Sequence, residues 1–195
     1  MRIISGTLGG RVLHPPKDLP VRPTTDLAKT ALFNILANRI NLEEANVLDL
    51  CCGTGSISFE CASRGAKNVT AIDTHFNCVK FVNDTAKTLG ISNLKAFKAD
   101  VFKFIESQKT TFDFIFADPP YKASWIEEIS KFVFRHKLLS PKGILIIEHG
   151  SKTDLSTDDY FIEKRTYGNV NFSIFKPDAI AISKTKSNKN NELYE

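Results

Sequence analysis

The chain has 195 residues, 42% of them hydrophobic, and its 26 Lys and Arg against 22 Asp and Glu give a net charge of +4 and a pI near 8.8. That length and composition suit one principal domain with a sizeable core, and the basic balance fits a nucleic-acid partner without demanding one. No segment approaches the roughly 18 uninterrupted apolar residues of a membrane span, and the start Met1-Arg2-Ile3-Ile4-Ser5-Gly6 lacks a signal-peptide core, which points away from membranes and to the cytoplasm.

Two short β-prone runs, Arg2 to Ser5 and Arg11 to Leu13, flank the glycine-rich turn Gly6 to Gly10 and read as a small hairpin extension over residues 1–20. Such a hairpin is marginal alone and must lean on something. Arg2, Arg11, Lys17 and Arg22 face only Asp18 as an opposing charge, so the extension reads either as a packing flap or as an arm that grips RNA. A domain over residues 21–182 follows, opening with Thr24-Thr25-Asp26, which supplies N-cap chemistry. Leu27, Ala28, Ala31, Leu32, Ile35 and Leu36 then recur at helical spacing on one expected apolar face.

Val47-Leu48-Asp49-Leu50 reads as a strand, Cys51-Cys52-Gly53-Thr54-Gly55 as a glycine turn, and the residues up to Gly65 as a helix. Gly53 and Gly55 let a ligand approach the backbone, but Ser58 stands where a dinucleotide fingerprint has its third glycine, so a cofactor without a pyrophosphate suits the turn better. The strand Asn68 to Asp73 ends in an acid 24 positions after Asp49, near the roughly 20-residue offset of a ribose-binding carboxylate. A helix from Phe76 to Leu89 leads to the strand Leu94 to Asp100, a third acidic strand end. The four cysteines, Cys51, Cys52, Cys61 and Cys78, show neither C-x-x-C spacing nor a matching histidine cluster, so no metal site and no disulfide framework is expected. His14, His75, His136 and His149 share no spacing and are assigned no role.

Phe112 to Ala117 is an apolar, aromatic run that ends in Asp118-Pro119-Pro120-Tyr121. The prolines fix φ and remove two donors, so a buried strand must stop there and hold Asp118 at its carboxyl end, the edge where open α/β sheets bind ligands. Beyond it lie a helix candidate from Trp125 to Leu139, a core strand from Gly143 to Glu148, and a hairpin of Phe161 to Tyr167 with Val170 to Phe175 about Gly168-Asn169. Residues 183–195 are polar and expected to be disordered.

Asp-Pro-Pro-Tyr after a hydrophobic strand resembles the catalytic motif of S-adenosylmethionine-dependent methyltransferases that modify exocyclic amines of bases. The opening, from Arg2-Ile3-Ile4-Ser5-Gly6 through Arg22-Pro23-Thr24-Thr25-Asp26 to Leu32-Phe33-Asn34, resembles the RsmD-type family of small-subunit ribosomal RNA guanine-N2 methyltransferases. The resemblance covers nearly the whole chain except the tail. It implies an α/β, Rossmann-like class I methyltransferase fold, a seven-stranded, mostly parallel sheet with one antiparallel strand. It also implies S-adenosylmethionine as cofactor and ribosomal RNA, within the small ribosomal subunit, as the partner of a monomeric enzyme.

By the same resemblance, Asp49, Gly53 and Gly55 match the family's first motif, although Cys51 and Cys52 stand where small or aromatic residues are commoner. Asp73 accepts from the ribose hydroxyls and Asp100 from the adenine amine, with Val101 and Phe102 as walls of the ring slot. Asp118 and the Pro119 carbonyl accept both amine protons, Pro120 stiffens the loop, and Tyr121 stacks on the base. Arg2, Arg11 and Arg22 are the candidate phosphate contacts. The rivals are a DNA amino-methyltransferase, for whose recognition domain the chain has no room; a protein-glutamine methyltransferase, which favours Asn at the motif's first position; a non-catalytic ribosome-assembly factor on the same fold, against which the intact acids speak; and a dehydrogenase, disfavoured by Ser58.

Overall fold

A computed structural model describes residues 1–17, 19 and 24–179. The expected tail and Arg22 lie outside these described residues. Seven strands form one sheet in the order β3-β2-β1-β4-β5-β7-β6, namely β1 (Asn46–Asp49), β2 (Asn68–Asp73), β3 (Leu94–Lys98), β4 (Phe112–Ala117), β5 (Leu139–His149), β6 (Phe161–Tyr167) and β7 (Val170–Phe175). Strands β1 to β5 pair in parallel, and β7 runs antiparallel to both β5 and β6. This is the class I methyltransferase arrangement. Five helices complete it: α1 (Asp26–Ala37), α2 (Ser56–Ser63), α3 (Phe76–Thr88), α4 (Val101–Ser107) and α5 (Ile126–Arg135).

The central strands are apolar on both sides because both faces are covered. Val47, Phe114, Phe116, Ile144 and Ile146 join a core with α1, α2 and α3, whereas Leu48, Ile115, Leu145 and Ile147 join a second core with α4 and α5. Burying rings such as Phe114 and Phe116, at 0% and 1% exposure, stabilises by roughly 1.5–3 kcal/mol each. Alternation in β4 breaks once: Phe112 lies in the second core and Phe114 in the first, where the register with β5 jumps from Phe112↔Leu139 to Phe114↔Ile144.

Five elements depart from the sequence reading. Leu27 is 71% exposed, and Lys29 takes a buried place on α1 instead, at 1%, because it finds polar partners inside. Strand β3 stops at Lys98, and Asp100 caps a helix, α4, that periodicity over so short a stretch did not reveal. Helix α5 ends at Arg135, since Lys137 adopts φ +52, and β5 starts at Leu139, earlier than expected.

The N-terminal residues form a minimal hairpin with one bridge, Arg2↔Val12, and backbone bonds from Ile3 to Arg11 and from Gly10 to Ile3. It leans on α2: Glu60 accepts from the Ile4 and Ser5 amides at 2.7 and 3.0 Å, and the Ser63 carbonyl accepts from Thr7 at 2.8 Å. Glu60, fully buried, also accepts from Arg64 at 2.8 Å and lies 3.9 Å from the Lys29 ammonium, which donates to the Arg2 carbonyl and to Ser56. Gly6, at φ +82, comes so near α2 that a Cβ there would sit 1.9 Å from the Ser63 carbonyl oxygen. Ile3 and Leu13 belong to the first core, so the hairpin is packed as part of the domain.

Candidate active site

Because β1, β2, β4 and β5 are parallel, their carboxyl ends share one sheet edge and carry Asp49, Asp73, Asp118 and Glu148 to it. Asp49 is 1% exposed. The Ser58 hydroxyl donates to its Oδ2 at 2.6 Å, while Oδ1 is buried with no hydrogen-bond partner among the described residues. Burial pushes its carboxyl up to about 7, against the pull of the Ser58 hydroxyl and with a further push from the Asp73 charge. Gly55, at φ +76, caps α2 without a side chain, and a Cβ would meet Val82 at 2.8 Å and Phe59 at 3.0 Å. Packing against α3 and α2 therefore requires its lack of a side chain.

Asp73 spends its carboxylate on the loops around it. Oδ2 accepts from the Gly53 amide at 2.9 Å, and Oδ1 accepts from the His75 amide at 2.8 Å and meets the His75 ring at 3.1 Å. A carboxylate offers about four lone-pair sites, so it keeps capacity for a diol. It also fixes the glycine turn relative to β2. Asp100 is exposed and accepts from the Phe102 and Lys103 amides, both at 3.1 Å and both on Oδ1, which leaves Oδ2. Val101 is buried at 6%, whereas the Phe102 ring packs edge-on against Trp125 and Phe132, so Phe102 joins α4 to α5.

At the end of β4, Pro119 is buried and Pro120 exposed. The turn draws on the Pro120 carbonyl, which accepts from the Ala123 amide at 2.8 Å, and no backbone donor among the described residues takes the Pro119 carbonyl. The Tyr121 hydroxyl donates to Glu148 Oε1 at 2.8 Å, and its ring rests on Gly150, where a Cβ would lie 3.0 Å from Cδ2. The ring is nevertheless 44% exposed. The register Ala117↔Ile147 sets Asp118 abreast of Glu148, and burial, then the Glu148 charge, hold the Asp118 carboxyl well above the usual range.

A family model described as conserved hypothetical protein 95 matches residues 1–176. Ribosomal RNA small subunit methyltransferase D of Haemophilus influenzae is 29% identical over 183 residues, 90% of this chain and 93% of that protein. The chain belongs to this RsmD-type family. The solved structure of Escherichia coli yhhF matches with a TM-score of 0.78 at 25% identity, over 90% of this chain and 96% of that one. A Thermus thermophilus 16S rRNA N2 methyltransferase, solved with AdoMet and guanosine, shares the fold at 19% identity and a TM-score of 0.63, over 78% of this chain and 43% of that one.

The RsmD-type site fits S-adenosylmethionine by the chemistry of its donor set. Carboxylates cluster along the edge, and the one buried oxygen of Asp49 lacks a donor. Such a set repels a pyrophosphate but matches a cationic ligand with an ammonium, a ribose diol and an adenine amine, each of which donates. The dehydrogenase reading loses its footing here.

Three residues that the sequence left unused hold this RsmD-type site together. Ser58, read only as a missing glycine, clamps Asp49. His75, assigned no role, binds Asp73. Glu148, read as an ordinary strand residue, is 4% exposed and anchors Tyr121. A fifth acid at a strand end was the available signal for Glu148. The charged arm is less open than expected: Arg2 pairs with Asp26 at 2.9 Å rather than standing unopposed, while Arg11 is exposed. His149 is fully buried and meets Ser173 at 2.8 Å, a packing role.

Proposed function

We propose that the chain methylates the exocyclic N2 amine of a guanine in small-subunit ribosomal RNA, acting as a cytoplasmic monomer on the small subunit. The observation that carries this reading is the Asp118-Pro119-Pro120-Tyr121 tip at the sheet edge, with an acidic acceptor, an uncommitted carbonyl and a half-exposed ring in one rigid loop. Membership of a family whose relatives are named as small-subunit methyltransferases supports the substrate. No helix among the described residues is long and apolar enough to cross a membrane.

S-adenosylmethionine, when bound, supplies a methyl group already activated on a sulfonium. The protein's task is therefore to prepare the nucleophile, since the guanine amine's lone pair is delocalised into the ring. Asp118 and the Pro119 carbonyl accept both amine protons, draw the nitrogen toward sp³ and stabilise the positive charge that grows on it. Tyr121 stacks on the base, an interaction worth roughly 1–3 kcal/mol. Asp49 would hold the cofactor's ammonium, Asp73 the ribose hydroxyls and Asp100 the adenine amine, while Val101 would wall the ring and Gly53 and Gly55 would present their turn. Arg11 and Arg2 contact phosphate from the hairpin.

Incubation of purified protein with small subunits lacking the modification, followed by nucleoside mass spectrometry, tests the reading. N2-methylguanosine is the expected product. Methylation of another base, or none in the presence of bound cofactor, overturns it.

A further inference from the structure

We propose that Glu148 is the second carboxylate of the methyl-transfer centre: it fixes Tyr121 in place and shares a single proton with Asp118, so that the pair takes up the proton the amine must shed. This deepens the proposed methyl transfer and rests on it. Glu148 is buried, its Oε1 accepts from the Tyr121 hydroxyl at 2.8 Å, and its Oε2 is buried with no hydrogen-bond partner among the described residues. A fully ionised carboxylate would leave that oxygen's charge unsolvated, which is costly, so a proton shared with the carboxylate abreast of it relieves both groups.

The groups facing the pair are few. Asp49 adds negative charge from β1, Tyr121 comes from the loop after β4, and β7 contributes Phe172, which pairs with Glu148. His149, next in β5, is spent on the Gly150 carbonyl and Ser173. No cation among the described residues offsets the two carboxylates. Burial raises both, and the Glu148 charge raises Asp118 further.

The proton balance follows. With one proton on the pair, binding of the amine to Asp118 draws that proton to Glu148 and leaves Asp118 the anionic acceptor. Methylation leaves N2 with one positive charge. The electrons of one N–H bond return to nitrogen as its proton passes to Asp118, giving the neutral methylated amine and a pair that holds two protons, of which one goes to water. Glu148 acts through Asp118 and Tyr121, so it is a positioning residue.

Glu148→Gln tests this, because the amide oxygen still accepts from Tyr121 while the charge beside Asp118 is gone. Asp118 should then titrate at least one pH unit lower, read by carboxyl carbon NMR of cofactor-free protein. The acid limb of single-turnover methylation should move down by the same amount, and the plateau rate should fall about tenfold as the proton acceptor weakens. Tyr121→Phe, which removes the hydrogen bond that favours ionised Glu148, should shift the titration of the pair upward. An unchanged Asp118 titration in either folded variant overturns the proposal. The NMR readout needs no RNA, so a wrong assignment of substrate would leave the titration shift intact and fail only in the product analysis.

Discussion

Asp49→Asn should stabilise the free protein at pH 8 while it weakens the cofactor complex. A carboxyl held at about 7 in the fold, against an ordinary 3.8, binds a proton that the unfolded chain has already released between those values. Stability therefore falls as pH rises through that window and levels off above it. At about 1.4 kcal/mol per unit, the buried charge costs the fold about 4 kcal/mol by pH 8. Asparagine keeps an oxygen for the Ser58 hydroxyl but buries an amide nitrogen where Oδ1 lacked a partner, which costs roughly 1–3 kcal/mol. The variant should thus be more stable by about 1–3 kcal/mol at pH 8, and the difference should shrink by about 2–3 kcal/mol on going to pH 5, where the wild-type carboxyl is protonated in the fold. Urea unfolding at both pH values measures this, and calorimetry should show S-adenosylmethionine binding at least tenfold weaker at pH 8. A stability difference independent of pH would refute the reasoning, because it would mean that Asp49 is not a buried charge.

Asp73→Ala should weaken S-adenosylmethionine by about 1–3 kcal/mol in calorimetry, because it unpairs the ribose hydroxyls and also releases the Gly53 amide. Glu60→Gln should lower the unfolding free energy by about 3–5 kcal/mol, since one acceptor must replace two and Lys29 is left buried without its counter-charge. Hydrogen exchange should show the loss first at the Ile4 and Ser5 amides. Arg11→Ala should leave cofactor affinity unchanged and reduce the slope of log affinity for ribosomal RNA against log salt by about 1, as removal of one phosphate contact requires; an unchanged slope assigns the hairpin to packing alone.

The central strands β1, β2 and β4 were legible because each is a short, largely apolar run that leads into an acid. Asn68 to Asp73 and Phe161 to Tyr167 have the bounds read from sequence. What escaped was tertiary. Lys29 looks like a surface lysine until Glu60 and the Arg2 carbonyl, distant in sequence, are brought to it. Leu27 follows the helical period, but it faces solvent in the first turn of α1, while Ala28 beside it enters the core. Asp100 was expected as the last residue of a strand, but β3 stops at Lys98, and its job as the cap of α4 depends on backbone amides that no spacing displays. The same holds within the site. The strand-end acids announce themselves, whereas Ser58 and Glu148 gain meaning only from the carboxylate or ring that the fold places against them.

The most direct test of the central claim is the single-turnover rate of methyl transfer by Asp118→Ala beside its affinity for S-adenosylmethionine. Asp118 strengthens its hold on the amine as that nitrogen becomes positive, so its loss should fall on the transition state. The account predicts a rate lower by a factor on the order of 10²–10³, with cofactor affinity changed much less and the circular dichroism spectrum intact. A folded Asp118→Ala protein that methylates near the wild-type rate would contradict it.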